Sequence, residues 1–135
     1  MKRIRRISLD EVWKMRHEVM WPDQSIEYIQ LPNDDQGIHL GLFVEDSLVS
    51  VISLFIDGDE AQFRKFCTQT NFQNRGYGSE LLQYTMDYAK GRGAKAIFCN
   101  ARVTKCSFYA KFGLIRTENR FVKGGKEYVV MRKTL

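Results

Sequence analysis

The chain has 135 residues, 44% of them hydrophobic and 27% charged, which excludes a disordered segment and fits a single folded domain over residues 1–135. Its formal net charge of +5 favours anionic ligands without choosing among phosphates, nucleic acid and acidic partners. No apolar run reaches the length of a membrane span, no apolar signal core follows the basic Met1–Arg6 start, and the three cysteines lack CxxC or metal-like spacing. These features predict a cytoplasmic protein with no membrane or metal requirement, in which Cys67 and Cys99 are buried small hydrophobes.

In chain order, Lys2 to Ile7 reads as a short strand with its charges outward. Ser8 and Glu11 form a capping box ahead of a helix that carries Val12, Trp13, Met15, Arg16, Val19 and Met20 and stops near Pro22. Residues 23 to 37 read as a second short helix or an irregular segment, then a loop. His39 to Val44, Leu48 to Ile56 and Ala61 to Thr68 are β-prone, and the short polar links between them imply an antiparallel meander. Strict alternation in the third run puts Gln62, Arg64 and Phe66 on one face and Ala61, Phe63, Lys65 and Cys67 on the other. A helix from about Gly76 to Lys90 follows, with Leu81, Leu82, Thr85, Met86 and Ala89 at helical spacing. Ala94 to Asn100 is a fifth strand, Lys105 to Phe112 a short helix, and Ile115 to Val122 with Glu127 to Arg132 a closing hairpin. The predicted order is β-α-α-β-β-β-α-β-α-β-β: an α/β (α+β) fold with a mixed, mostly antiparallel sheet and helices on both faces.

Between the third β-run and its helix lies Gln73-Asn74-Arg75-Gly76-Tyr77-Gly78, followed by Ser79. Strand, glycine-bearing loop and helix N-terminus together suit the diphosphate of a nucleotide-like cofactor. The glycine spacing and the meander before it argue against a dinucleotide-binding Rossmann unit. Far downstream stands Phe108-Tyr109-Ala110-Lys111-Phe112-Gly113-Leu114. With the element order, these two segments resemble the GNAT superfamily of N-acetyltransferases over nearly the whole chain. The resemblance implies that Gln73, Asn74, Arg75, Gly76, Tyr77, Gly78 and Ser79 bind the diphosphate of acetyl-CoA. It implies that Phe66, Cys67 and Thr68 lie on the strand that pairs with the pantetheine arm, with Asn100 at the end of the neighbouring strand. It also implies that Tyr109 protonates the departing thiolate. Where many members carry Asn and Ala, seven and four residues before the tyrosine, this chain has Arg102 and Lys105, and Leu114 replaces a closing Phe.

Acetyl transfer to an amine needs a held thioester, a neutral amine, a donor to the developing oxyanion and a proton for the thiolate. Tyr109 is a phenol suited to the last task; spacing alone favours an aromatic core residue of a short helix, and the family resemblance favours the acid. Glu60, Asp59, Glu45, Asp46 and Glu27 are the carboxylates available as a base, Asp46 and Asp59 also reading as turn residues, as does Asp57. His17 and His39 read as structural, and no Ser-His-Asp spacing or nucleophile elbow occurs. Arg75 supports the diphosphate; Lys105 and Lys111 reach a phosphate or form a solvated helix face. Arg64 and Lys65 interrupt an apolar strand, so one of them points to a cleft or a carboxylate, and Arg64 is the candidate contact for an acidic substrate group. The expected activity is an acetyl-CoA-dependent N-acetyltransferase acting directly on a small-molecule or protein amine, with no nucleic-acid partner; a homodimer stays open. The alternatives are a non-catalytic acyl-CoA-binding module of the same fold and a nucleic-acid-binding domain.

Overall fold

In the computed structural model, which describes residues 1–135, the predicted capping box is in place. The Ser8 hydroxyl accepts the Glu11 N–H at 3.1 Å and the Glu11 carboxylate accepts the Ser8 N–H at 3.0 Å. Together they satisfy two of the donors that a helix start leaves free. The helix they open is α1 (Leu9–Met20), preceded by β1 (Lys2–Arg6). The segment after it forms two 3-10 turns, Ile26–Ile29 and Asp34–Gln36, separated by Gln30, Leu31, Pro32 and Asn33. A meander follows, made of β2 (Ile38–Val44), β3 (Ser47–Asp57) and β4 (Glu60–Thr68). Then come α2 (Tyr77–Gly91), β5 (Ala96–Arg102), α3 (Cys106–Ala110), β6 (Ile115–Lys123) and β7 (Lys126–Thr134). The seven strands lie in the order β1-β2-β3-β4-β5-β7-β6. Only β4 and β5 are parallel; the mixed sheet and the element order agree with the sequence reading, except that two 3-10 turns stand in place of its second helix.

The two sheet faces carry different helices. The buried stripe of α2 (Leu81, Leu82, Thr85, Met86 and Ala89) packs with Leu40, Leu42, Ile52, Leu54, Ile97 and Met131. Burial of each large aliphatic chain contributes about 1.5–3 kcal/mol, so this face dominates the stability of the helix. On the other face, Val12 and Met15 of α1 pack with Ile7, Phe43 and Val51.

Two irregularities in β4 matter for function. First, β4 pairs with β5 only through Glu60, Ala61 and Gln62, opposite Ala96, Ile97 and Phe98. Beyond Gln62, β4 keeps β3 as its only partner and the two parallel strands splay apart. Second, the register with β3 passes from Ser53↔Arg64 to Val51↔Cys67, so Lys65 and Phe66 together face Ile52. This is a β-bulge, and Lys65 takes φ 53 to make it. The bulge overturns strict alternation. Phe66 joins Phe63 on the α2 side, with ring centroids 6.4 Å apart, and Cys67 moves to the α1 side against the Ile7–Val51 cluster.

Candidate active site

The end of β4 and the start of α2 are tied together. Gln73 donates its side-chain amide to the Thr68 carbonyl at 3.0 Å, and the Thr68 hydroxyl is 2.8 Å from that of Ser50. Asn74 at φ 63 and Gly76 at φ 84 then turn the chain into the helix. Gly76 is the N-cap, so no side chain caps α2, and the first intrahelical bond runs from the Glu80 N–H to the Gly76 carbonyl. The amides of residues 74 to 79 consequently make no hydrogen bond to the chain. A Cβ on Gly76 would project into open space, whereas one on Gly78 would stand 3.3 Å from Phe66 and from the Thr68 hydroxyl. The second glycine lets the helix start sit against the end of β4. Six free amides with a helix dipole behind them are suited to an anion. Arg75 lies at its edge, its guanidinium 5.6 Å from the Phe72 ring centre.

Tyr109, on α3, stands beside the middle of β4. It packs on Phe63 at 5.7 Å and on Phe108 at 5.3 Å, and Phe108 continues to Phe66 at 6.3 Å. This aromatic cluster carries α3 on the α2 side of the splay. Burial, with the Cys99 and Cys106 thiols nearby, pushes the Tyr109 phenol above its usual range, so it remains a protonated donor at neutral pH. Arg16 Nε is the only sealed side-chain polar atom without a partner, so the Tyr109 hydroxyl is not walled in. From Phe63, beside Tyr109, to Thr68, beside the amide loop, an extended strand runs about 16 Å. Along that run β4 has no partner on its β5 side.

The other predicted residues distribute as follows. Phe66, Thr68 and residues 73 to 79 come together around the loop. The Cys67 side chain does not join them, because the bulge turns it to the α1 side, where burial pushes its thiol up to about 12. Asn100 is exposed, while its neighbours Cys99 and Ala101 belong to the α2-side core. Its side chain therefore also lies on the α1 face, away from the amide loop. Among the carboxylates, Glu60 is held by Arg132, Glu45 by the N-terminal ammonium, and Asp59 lies 3.9 Å from Lys95. Glu27 and Asp46 have no ion-pair partner and are exposed, so the geometry does not single out a base. A thiol held at such a high pKa is a poor nucleophile. Cys67→Ala is thus expected to retain wild-type turnover, and mass spectrometry after mixing with acetyl-CoA alone should find no acetyl group on Cys67. A kinetically competent acetyl-Cys67 would overturn that assignment.

One polar assembly escaped the sequence reading. Arg16 is fully buried and pairs bidentately with Asp34, at 2.7 and 2.9 Å. It also donates to the Ile29 carbonyl at 3.0 Å and the Ser53 hydroxyl at 2.8 Å. His39 bridges the Ser53 hydroxyl at 2.7 Å and the Asp34 carbonyl at 2.8 Å, which makes it structural, as expected. The available signal was Arg16 itself. It follows Val12 by one helical turn on the buried stripe, and an arginine there demands a buried anion.

Comparison with known proteins decides the family. A family model described as "Acetyltransferase (GNAT) domain" matches residues 5–135. The chain belongs to the GNAT acetyltransferase family. This GNAT domain is 28% identical over 145 residues to the uncharacterized N-acetyltransferase YitI of Bacillus subtilis (strain 168), covering 100% of this chain and 97% of that protein. Its fold is shared by a Lactobacillus plantarum crystal structure, with TM-score 0.88 and 22% identity over 99% of this chain and 98% of that one. A GNAT family acetyltransferase from Elizabethkingia anophelis, solved with acetyl-CoA bound, has TM-score 0.78 and 16% identity over 99% of this chain and 98% of that one. The GNAT domain is accordingly an acyltransferase. No helix in it is long and apolar enough to cross a membrane.

Proposed function

We propose that residues 1–135 form one N-acetyltransferase domain that moves the acetyl group of acetyl-CoA directly to a primary amine. The observation that carries this reading is the run of six unpaired amides at the start of α2, in line with the unpartnered edge of β4 and ending at Tyr109. When bound, acetyl-CoA supplies the activated thioester. The amides of residues 74 to 79, with Gln73 bracing the loop and Arg75 at its rim, hold the diphosphate. The backbone of Phe66, Cys67 and Thr68 holds the pantetheine amides along the splay, with Asn100 on the opposite strand, β5. Free β4 N–H groups near the bulge donate to the thioester oxygen, where charge develops during attack. Tyr109 gives its proton to the departing sulfur. The acceptor nitrogen forms the new C–N bond as the C–S bond breaks, its surplus proton passes to solvent, and the Tyr109 phenolate takes a proton back from solvent.

Gly76→Val tests the reading. Valine strains φ 84 and adds bulk beside the amides, and its Cβ meets no atom of the chain within 4 Å. CoA affinity measured by calorimetry is expected to fall at least tenfold while the unfolding midpoint moves little. Wild-type affinity in a folded Gly76→Val protein would refute the loop as the diphosphate site.

A further inference from the structure

Arg64 and Lys65 straddle the bulge at the level of Phe63 and Tyr109, where the reaction centre lies in the proposed function. Arg64 is the cross-strand partner of Ser53, whose hydroxyl contacts Arg16 and His39, so Arg64 lies on the α1 face. Tyr109 and the amide loop occupy the α2 side, so in the proposed function the α1 side is left to the acceptor. Both cations are half-buried, and neither makes a hydrogen bond or an ion pair with a side chain of this protein. Asp34 cannot serve them. Its carboxylate already accepts two bonds from Arg16, one from the Trp13 indole at 2.9 Å and one from the Leu31 amide at 2.8 Å. Glu60 is committed to Arg132. Burial, then Arg64, Arg16 and Lys123, draws the Lys65 ammonium below its usual range, so Lys123 from the β6–β7 hairpin adds a third positive charge.

Beside these cations the α1 face of β5 and β7 is only partly covered. Phe98 and Val130 are half-buried there, and Tyr128 stacks on Phe121 with ring planes 6° apart. The result is an apolar floor with an uncompensated cationic wall. Half-buried charges without a counter-ion are costly, and an incoming anion offsets that cost. Arginine in particular favours bidentate pairing with a carboxylate.

We infer that the acceptor is a small amine that also carries a carboxylate, seated with its anionic end on Arg64 and Lys65 and its carbon skeleton on the floor beside Phe98. This rests on the transferase reading and narrows its acceptor to amino-acid-like amines, disfavouring polyamines.

The test sets amino acids against the amines left when their carboxylate is removed, for example phenylalanine against phenethylamine and lysine against cadaverine. Thiol release from acetyl-CoA is followed for each pair, and binding of each compound to the CoA-loaded protein is measured by calorimetry. The carboxylated member is expected to show at least a tenfold higher kcat/KM and tighter binding. Arg64→Gln should erase that preference while CoA affinity, which reports an intact fold, is unchanged. Lys65→Gln should reduce it in the same direction. Equal or better turnover and binding of the decarboxylated amines, or an undiminished preference in Arg64→Gln, would overturn the inference. If no amine releases thiol but the amino acids still bind in an Arg64-dependent manner, the transferase reading fails and the anion site stands.

Discussion

Asp34→Ala is expected to destabilise the folded chain by about 3–5 kcal/mol, the usual cost of removing one partner of a buried ion pair. The substitution leaves Arg16, which is 0% exposed, without its anion. It also strips acceptors from the Trp13 indole and the Leu31 amide. Urea unfolding at pH 7 measures the loss, and a change below 1 kcal/mol would show that the network contributes little. The same carboxylate shapes the acid limb of stability. Burial alone would raise its pKa, but the bonds from Arg16, Leu31 and Trp13 outweigh this and hold it at about 2 against an ordinary 3.8. Its stabilisation is present above pH 3.8 and disappears as pH falls towards 2. His39 acts earlier and with the same sign. Burial lowers its pKa below the ordinary 6.5, so stability starts to fall once pH drops under that value.

Tyr109→Phe is expected to slow single-turnover acetyl transfer by at least tenfold, within the ~10²–10⁴ range typical of a lost general acid. The ring keeps its contacts with Phe63 and Phe108, so folding stability and CoA affinity should stay near wild type. This pattern is the reverse of the one expected for Asp34→Ala, and the pair separates chemistry from architecture. An unchanged rate, with chemistry rate-limiting, would leave Tyr109 as a packing residue.

Local signals made most of the fold legible. Ser8 with Glu11 marked a helix start, the polar links marked the meander, and the glycines after Gln73 marked a loop whose free amides the structure displays. Two features stayed hidden for different physical reasons. The bulge at Lys65 places a non-glycine residue at φ 53, a conformation that nothing in Phe63-Arg64-Lys65-Phe66 announces. Missing it reversed the faces of Phe66 and Cys67, because a single extra residue flips every side chain beyond it. The Arg16–Asp34 pair joins residues 18 apart through tertiary packing, and no local pattern reports a partner across that distance. Arg64 was legible only as an oddity in an apolar strand; its lack of a partner needed the structure.

The three-residue ladder between β4 and β5 has a mechanical consequence. With the bonds from the Lys95 and Ala96 amides to the Asp59 carbonyl beside it, it is the only strand pairing between a four-stranded block, β1 to β4, and a three-stranded block, β5 to β7. A molecule that occupies the splay and bonds to the free edge of β4 works as a removable stay across that joint. Occupancy and rigidity then become one quantity: at a hundredfold excess over Kd, the bound state gains about 2.7 kcal/mol of resistance to unfolding. In the proposed function, where acetyl-CoA fills the splay, release of product slackens the same joint, and each turnover is then also a cycle of tightening and loosening between two halves of the sheet.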